Sequence, residues 1–319
     1  MYKYIIKRIL ITIPVLFGVS IIIFSMMYFT PGDPVRNLLS DTATEEEVDA
    51  LREEMGLNDN YFVRYTRYMR GIFHGDLGTS YSDKQPVAEI LKARLPVSAK
   101  LTLFCILFSV AVGIPAGIIS AVRQYSVLDR IVMVFALMGV SFPSFWMALM
   151  LILIFSVNLG WLPATGIYGP LYYILPVCSI SAAPIATVAR MTRSSMLEVV
   201  RQDYIRTARA KGQTETVIIF QHALKNALIP VITVIGIQFA NTLSGAVVNE
   251  QVFAIPGIGK MMVDAIKARN YPLVQGGVLV ISVIFCLLNL FVDLLYAFVD
   301  PRIRFQYVKE KEKKEAAKS

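Results

Sequence analysis

The sequence predicts an all-α, polytopic membrane protein with six transmembrane helices. Of its 319 residues, 55% are hydrophobic and only 17% are charged, whereas a soluble domain usually carries about 25% charged residues. Five long stretches contain no Lys, Arg, Asp or Glu, namely 9–32, 101–122, 131–189, 226–249 and 270–292. These stretches do not alternate polar and apolar residues, so they favour helices over a membrane β-barrel. An ordinary soluble enzyme is excluded as well.

The lengths of the charge-free stretches set the number of spans. A helix rises about 1.5 Å per residue, so roughly 20 apolar residues cross a hydrocarbon core of about 30 Å. The stretch 131–189 is too long for one crossing and contains turn-forming Gly, Pro and Asn residues between 158 and 170, which divide it into two spans. The predicted spans are 9–30, 99–122, 131–157, 171–190, 227–249 and 276–298, and residues of about 99–303 form one transmembrane domain.

The first span is predicted to be a retained anchor. Residues 1–8 contain Lys3, Lys7 and Arg8, as a signal peptide would. However, the apolar run that follows exceeds the usual length of about 7 to 15 residues, and no small-x-small cleavage site precedes Pro31.

The distribution of Lys and Arg predicts the orientation. Six spans place both termini, 1–8 and 299–319, on one side, together with the loop 191–226. That side holds most of the basic residues, so the positive-inside rule assigns it to the cytoplasm. The loops 31–98 and 250–275 are then extracytoplasmic. The net charge of +8 therefore reflects orientation in a lipid membrane, and nucleic-acid binding is not expected.

The loop 31–98 is predicted to be helical. Thr44-Glu45-Glu46-Glu47 has the pattern of a capping box, and the helix that it begins should end at Gly56. A second helix is predicted over Tyr61 to Phe73 and a third from Pro86 to Arg94. We expect these helices to cap the outer mouth of the bundle, where a ligand or partner arrives; a solvated loop without a role is the alternative.

The loop 250–275 contains an amphipathic stretch from Lys260 to Arg269. Met262, Ala265 and Ile266 share one face of this predicted helix, and charged residues share the other. We expect the helix to fold back against the bundle.

A short helix is predicted in the cytoplasmic loop 191–226. Asp203 is a favourable N-cap and Gly212 a favourable stop, so Tyr204 to Lys211 should form about two turns. Tyr204, Ile205 and Ala208 cluster at helical spacing, away from the arginines. Such a helix suits docking to a cytoplasmic partner, and the alternative is a helix lying on anionic lipid. The candidate docking residues are Asp203, Tyr204, Ile205, Arg206, Thr207, Ala208, Arg209, Ala210, Lys211 and Gly212.

Motifs for catalysis are missing from the sequence. Gly259-Lys260 does not belong to a phosphate loop, because Ala254 stands where the loop needs Gly and Met261 where it needs Ser or Thr. The two histidines, His74 and His222, fall on opposite sides of the predicted membrane. No metal site and no enzymatic activity are therefore expected.

The fifth span is the candidate lining of a hydrophilic path. Its polar side chains and the acid that follows it are Gln238, Asn241, Thr242, Ser244, Asn249 and Glu250. Several of these can share one helix face, although hydrogen bonding between helices would explain them equally well.

Several motifs resemble those of bacterial ABC-importer permeases. Arg206 to Gly212 is similar to the EAA loop, in which Glu-Ala-Ala is followed by Gly after three residues. Ala208 and Gly212 keep their places in that pattern, whereas Arg206 and Thr207 replace its first two letters. Further motifs resemble the B-type permease of the dipeptide/oligopeptide/nickel importer family: Thr30 to Pro34, Gly75 to Ser80, Gly139 to Pro143, Asn249 to Gly259, Arg269 to Pro272 and Asp300 to Ile303.

This resemblance implies a type I ABC-importer permease in the cytoplasmic (inner) membrane of a bacterium. It implies as partners a second permease of similar fold, two cytoplasmic ATPase subunits and an extracytoplasmic substrate-binding protein. ATP and Mg would bind to the ATPases, with no cofactor in this chain. In that family the short helix of the EAA loop sits in a groove of the ATPase. The expected cargo is di- or oligopeptides, and the alternative cargo is nickel or a nickel chelate. The alternative type of transporter is a stand-alone secondary carrier.

Overall fold

A computed structural model describes residues 2–39 and 43–299. The regular elements in these ranges are helices, as the sequence predicts. The α-helices are α1 (Tyr2–Phe29), α2 (Glu45–Glu54), α3 (Tyr61–Phe73), α4 (Val87–Val122), α5 (Val127–Ser141), α6 (Ser144–Leu151), α7 (Ile174–Val200), α8 (Asp203–Ala210), α9 (Glu215–Val217), α10 (Leu224–Gly245), α11 (Val247–Val252), α12 (Ile258–Lys267) and α13 (Tyr271–Val299). Ile152–Asn158 and Ile218–Ala223 continue α6 and α9 as π-helices, and Pro170–Tyr173 is a 3₁₀ turn before α7. The tail from residue 300 lies outside the described residues.

Five helical segments are long and apolar enough to cross a membrane singly: Arg8–Phe29, Val87–Val122, Pro170–Val200, Glu215–Gly245 and Tyr271–Leu294. They overlap the predicted spans other than the third: 99–122 and 171–190 lie wholly inside them, whereas 9–30, 227–249 and 276–298 extend one to four residues beyond them. The helix predicted from Pro86 to Arg94 is not a separate element, because it is the first part of α4. No helix-stop signal separates Arg94 from the second span, so the two form one continuous helix.

The third predicted span, 131–157, is not one continuous helix. α5 and α6 meet at an angle of 103° across a short break. Pro143 begins α6 and cannot donate a backbone hydrogen bond, and it holds Phe142 in an extended conformation with φ −85° and ψ 132°. The chain therefore turns sharply at this point.

The bent pair nevertheless connects the two ends of the bundle. Near the start of α5, Asp129 accepts hydrogen bonds from Arg193 at 2.8 and 2.9 Å, close to the end of α7. After α6, the amide of Gly166 donates to the carbonyl of Phe253 at 2.8 Å, and Phe253 packs in one cluster with Leu175, near the start of α7. Because α7 runs between these ends, α5 and α6 together make one crossing, which gives six.

Glycines bring α4 and α5 very close to α7. A Cβ atom on Gly117 of α4 would lie 2.6 Å from the carbonyl oxygen of Ala189, and one on Gly139 of α5 would lie 2.7 Å from that of Ala182. Lipid provides no hydrophobic driving force between helices, so close packing of small residues has to supply the attraction.

The short helices α2, α3 and α12 form close to the positions that local sequence signals predict. The side chain of Thr44 accepts from the Glu47 amide at 3.3 Å and Glu47 accepts from the Thr44 amide at 2.9 Å, which completes the capping box. α3 has the predicted bounds, Tyr61–Phe73. The predicted apolar face of α12 is partly wrong: Ala265 is buried, but Ile266 is 55% exposed. α12 begins at Ile258, so its buried stripe is Ile258, Met261 and Ala265.

The contact at Gly117 predicts an unusual response to alanine. Replacing a helical Gly by Ala normally stabilises a helix by about 0.5 to 1 kcal/mol. Gly117→Ala should instead lower the thermal unfolding midpoint of the detergent-purified protein, because overpacking costs about 1 to 3 kcal/mol. Gly18→Ala is the matched control, since a Cβ there meets no atom within 4 Å. Equal midpoints for the two variants would contradict the close contact.

Candidate functional site

α8 lies in the connection between α7 and α10. It begins at Asp203, and its N-cap is Gln202, with φ −72° and ψ 151°. The prediction that Asp203 is the N-cap is therefore wrong. Asp203 is instead the first helical residue, where its negative charge interacts favourably with the positive end of the helix dipole. Gly212 has φ +77°, the left-handed conformation expected at a helix stop.

The apolar face of α8 packs against its own chain. Ile205 and Ala208 are buried in a cluster with Met196 of α7 and with Ile218 and Ala223, which precede α10. Of the predicted apolar face, Ile205 and Ala208 are therefore covered by this chain, whereas Tyr204 is 45% exposed. Sequence pattern shows that a face is apolar, but not whether this chain or another covers it.

The outward surface of α8 is basic and polar. Tyr204, Arg206, Thr207, Ala210 and Lys211 are exposed. This is the surface that α8 presents to the surroundings.

An ion pair and a hydrogen bond hold α8 at its edges. Arg209 binds Glu215 of α9 through two hydrogen bonds of 2.7 and 3.3 Å. Asn226 of α10 donates to the Tyr204 hydroxyl at 3.0 Å. Together with the buried apolar face, these contacts attach α8 to the helices on both sides of it.

A buried ion pair joins three helices beside α8. Asp129 of α5 is buried and accepts hydrogen bonds from Arg193 of α7 and Ser120 of α4. Arg193 also lines a surface depression with Ser194, Leu197, Glu198, Arg201 and Gln202, which leads directly to α8. This ion pair cannot be predicted from the sequence, because the loop 123–130 contains no feature that identifies a partner for Asp129.

The polar residues of the fifth span do not share one environment. Asn241 is exposed, and Gln238 and Ser244 are half-buried. Thr242 and Asn249 are buried. The predicted set therefore divides into a group on the outside of this chain and a group inside it.

Asn249 joins α11 to the break in the third span. Its amide nitrogen donates to the hydroxyl of Ser144, the first residue of α6, at 2.8 Å. Its amide oxygen is buried and has no hydrogen-bond partner among the described residues. The contact agrees with hydrogen bonding between elements rather than with a path lining.

Glu250 of α11 is a buried carboxylate whose oxygens lie beside the first residues of α12. Its exposure is 1%. Ser98 of α4 donates to it at 2.5 Å, and the Lys260 amide donates at 3.1 Å. Ser98 in turn accepts from the Ile258 amide at 2.9 Å. The acid thus links α4, α11 and the positive end of the α12 dipole, and it does not line an open path in this structure.

The burial of Glu250 affects its ionisation. Glu250 lies beyond the end of the α10 span, in α11. Burial raises its pKa above the ordinary value of 4.5, while the hydrogen bonds from Ser98 and from the amides of Lys260 and Gly259 act to lower it. An acid whose charged form is disfavoured by burial depends on those donors.

Comparison with known proteins identifies the family. Residues 113–305 match the family described as binding-protein-dependent transport system inner membrane component, and residues 1–102 match its N-terminal region. The chain belongs to this family. It is therefore a multi-pass ABC-importer permease subunit and not itself an enzyme.

Two curated relatives align along their full length. The dipeptide transport system permease protein DppB of Alkalihalophilus pseudofirmus is 44% identical, and the alignment covers 96% of this chain and 100% of the relative. The glutathione transport system permease protein GsiC of Escherichia coli K12 is 41% identical, with the same coverage of both chains.

Solved ABC transporters share the fold of the permease. A chain of the inward-facing MetNI methionine ABC transporter superposes with a TM-score of 0.55 at 19% identity, over 67% of this chain and 97% of that one. A chain of an amino acid ABC transporter with histidines has a TM-score of 0.51 at 16% identity, over 67% and 94%. These similarities support the helical permease fold.

The environment of Glu250 predicts a pH-dependent stability. Its folded pKa lies above its unfolded value, so its stabilising contribution is complete below about pH 4.5 and is lost as pH rises through the folded pKa. Glu250→Gln should remove this component. As pH rises from about 4 to 8, the thermal midpoint of the purified wild type should therefore fall relative to that of Glu250→Gln. The exposed Glu54→Gln variant is the control and should run parallel to wild type; a parallel Glu250→Gln curve would contradict the assignment.

Proposed function

We propose that this permease imports short peptides. The observation that carries the proposal is full-length similarity to permeases named for dipeptide and for glutathione, which is itself a tripeptide. The names of these relatives give no support to nickel. We further propose that the complete importer contains a second permease of similar fold, two cytoplasmic ATPases that bind ATP and Mg, and an extracytoplasmic binding protein that delivers the peptide.

The proposed orientation follows from charge and from α8. We infer that both termini and α8 face the cytoplasm of a bacterium whose inner membrane holds the chain. The positive-inside rule supports this orientation. Docking of α8 to an ATPase requires it, because ATP is available on that side.

We propose that the outward surface of α8 binds the ATPase. Tyr204, Arg206, Thr207, Ala210 and Lys211 are exposed, whereas Ile205 and Ala208 attach the helix to its own bundle. This division assigns the two faces of α8 different tasks. Gly212 supports it by ending the helix in a conformation that L-residues with a Cβ rarely adopt.

The attachment of α8 supports a mechanism of coupling. When nucleotide closes the ATPases, α8 is displaced. Ile205 passes that displacement to α7 by direct packing, and Arg193 passes it from α7 to α5 through Asp129. A change between two rigid packings of the helices would then open the path alternately to each side.

The exposed stripe of α10 is our candidate for the peptide path. Ile237 and Asn241 are exposed along one side of α10, Gly245 at its end is exposed as well, and the exposed Val248 follows in α11. An exposed amide is unfavourable against lipid. We therefore infer that Asn241, with Gln238 and Ser244 near it, faces the second permease and the peptide path between the two subunits.

Reconstituted transport tests this function. Proteoliposomes that contain the two permeases, the ATPases and the binding protein should accumulate a radiolabelled dipeptide. This uptake should require ATP on the side of the membrane where the ATPases lie. Excess unlabelled glutathione measures whether the cargo range includes tripeptides. Complexes with a hydrolysis-deficient ATPase are the control and should not accumulate peptide. Uptake of nickel without peptide, or uptake by this chain alone on an ion gradient, would contradict the proposal.

A further inference from the structure

α3 lies along the side of α1, in the outer half of the first span. The Tyr61 hydroxyl is 2.8 Å from the Ser25 hydroxyl, and the Tyr65 hydroxyl is 3.0 Å from that of Ser20. The ring of Phe24 contacts both tyrosines, with centroid distances of 5.3 and 5.2 Å. The tyrosine side of α3 is therefore fixed to α1.

The contact points determine the level of α3 relative to the membrane. α1 ends at Phe29. Ser25 and Ser20 precede that end by about 6 and 13 Å, at about 1.5 Å per residue. Ile22 and Met26 lie at the same level of α1 and are exposed, as expected of side chains that meet lipid. α3 runs beside this exposed apolar surface and not above the end of the span.

A second side of α3 carries two large exposed aromatic residues, with Thr66 and the half-buried Met69 between them. Phe62 is 74% exposed and Phe73 is 80% exposed. Positions 62, 66, 69 and 73 recur every three to four residues and so share one side of the helix. Large exposed aromatic residues are not expected on a helix that water surrounds. Phe29 at the end of α1, which stacks on Tyr61, is 73% exposed as well.

The remaining side of α3 is basic. Arg67 and Arg70 are exposed, and Arg67 also pairs with Asp59 at 2.5 Å. Helices that lie in a membrane interface combine an apolar side with Lys or Arg and with aromatic residues near the headgroups. Guanidinium groups match the geometry of lipid phosphates.

We propose that α3 is an interfacial helix that lies in the outer leaflet beside α1. Phe62 and Phe73 insert among the lipid acyl chains, and the long side chains of Arg67 and Arg70 extend from the helix toward the phosphates. The helix then anchors the loop 31–98 to the membrane instead of capping the mouth of the bundle. The leaflet depends on the proposed orientation, whereas insertion depends neither on it nor on the identity of the cargo.

Collision measurements on spin labels test the depth of α3. Single cysteines replace Phe62 or Phe73 in the full chain, with Cys105, Cys178 and Cys286 changed to Ala, and the assembled complex is placed in nanodiscs of phosphatidylethanolamine and phosphatidylglycerol. Arg67→Cys is the control on the same helix, and Glu54→Cys on α2 is the water-exposed control. The ratio of oxygen to nickel-chelate collisions should be several-fold higher at 62 and 73 than at 54, with 67 between them.

Two results would overturn the proposal. Nickel-chelate access at 62 and 73 equal to that at 54 would place α3 in water. Low access to both reagents would mean that another protein surface covers the helix. If the cysteine-free chain fails to assemble, benzoylphenylalanine at position 62 of the otherwise native chain gives the same decision, since photolysis should yield lipid adducts and not protein adducts.

Discussion

The close approach of α7 to α4 and α5 is the contact on which the rest of the bundle depends. In lipid, helices gain little from burying apolar surface against one another, so association requires small residues that let backbones approach. Gly117 and Gly139 provide this approach at the carbonyls of Ala189 and Ala182. With its neighbours fixed in this way, α7 can hold the connection after α10 at one end, through the packing of Leu175 with Phe253, and α8 at the other.

The C-terminal end of α7 is attached to its neighbours by polar and by apolar contacts. Asp129 is buried, and its charge is compensated by two hydrogen bonds from Arg193 and one from Ser120. Removing one member of such a pair is costly because the other charge stays buried without compensation. The packing of Ile205 adds an apolar attachment for α8. Polar and apolar contacts therefore join α5, α7 and α8 into one mechanical unit, as the proposed coupling to ATPase subunits requires.

The sequence predicted features that depend on local composition or on neighbouring residues. Charge-free length identified the membrane segments, the capping box at Thr44 began α2, and Gly212 ended α8. Features that depend on distant residues were not predicted. Ser98 and Glu250 are far apart in the chain, and which face of α8 is covered depends on α7 and on the residues before α10. The tyrosines of α3 lie at helical spacing, but only the structure shows that they contact α1, so the helix was expected at the mouth of the bundle.

Distance measurements between spin labels test most directly whether α5, α7 and α8 move as one unit. Labels at Val127, in the first turn of α5, and at Thr207, on the outward surface of α8, are both exposed and lie on opposite sides of the Asp129 and Ile205 contacts. If the three helices form a rigid unit, the distance distribution should be narrow and the same in nucleotide-free and ATP-bound complexes, and it should broaden in Asp129→Asn. A broad distribution without that substitution, or a distance that shifts when ATP binds, would contradict a rigid unit.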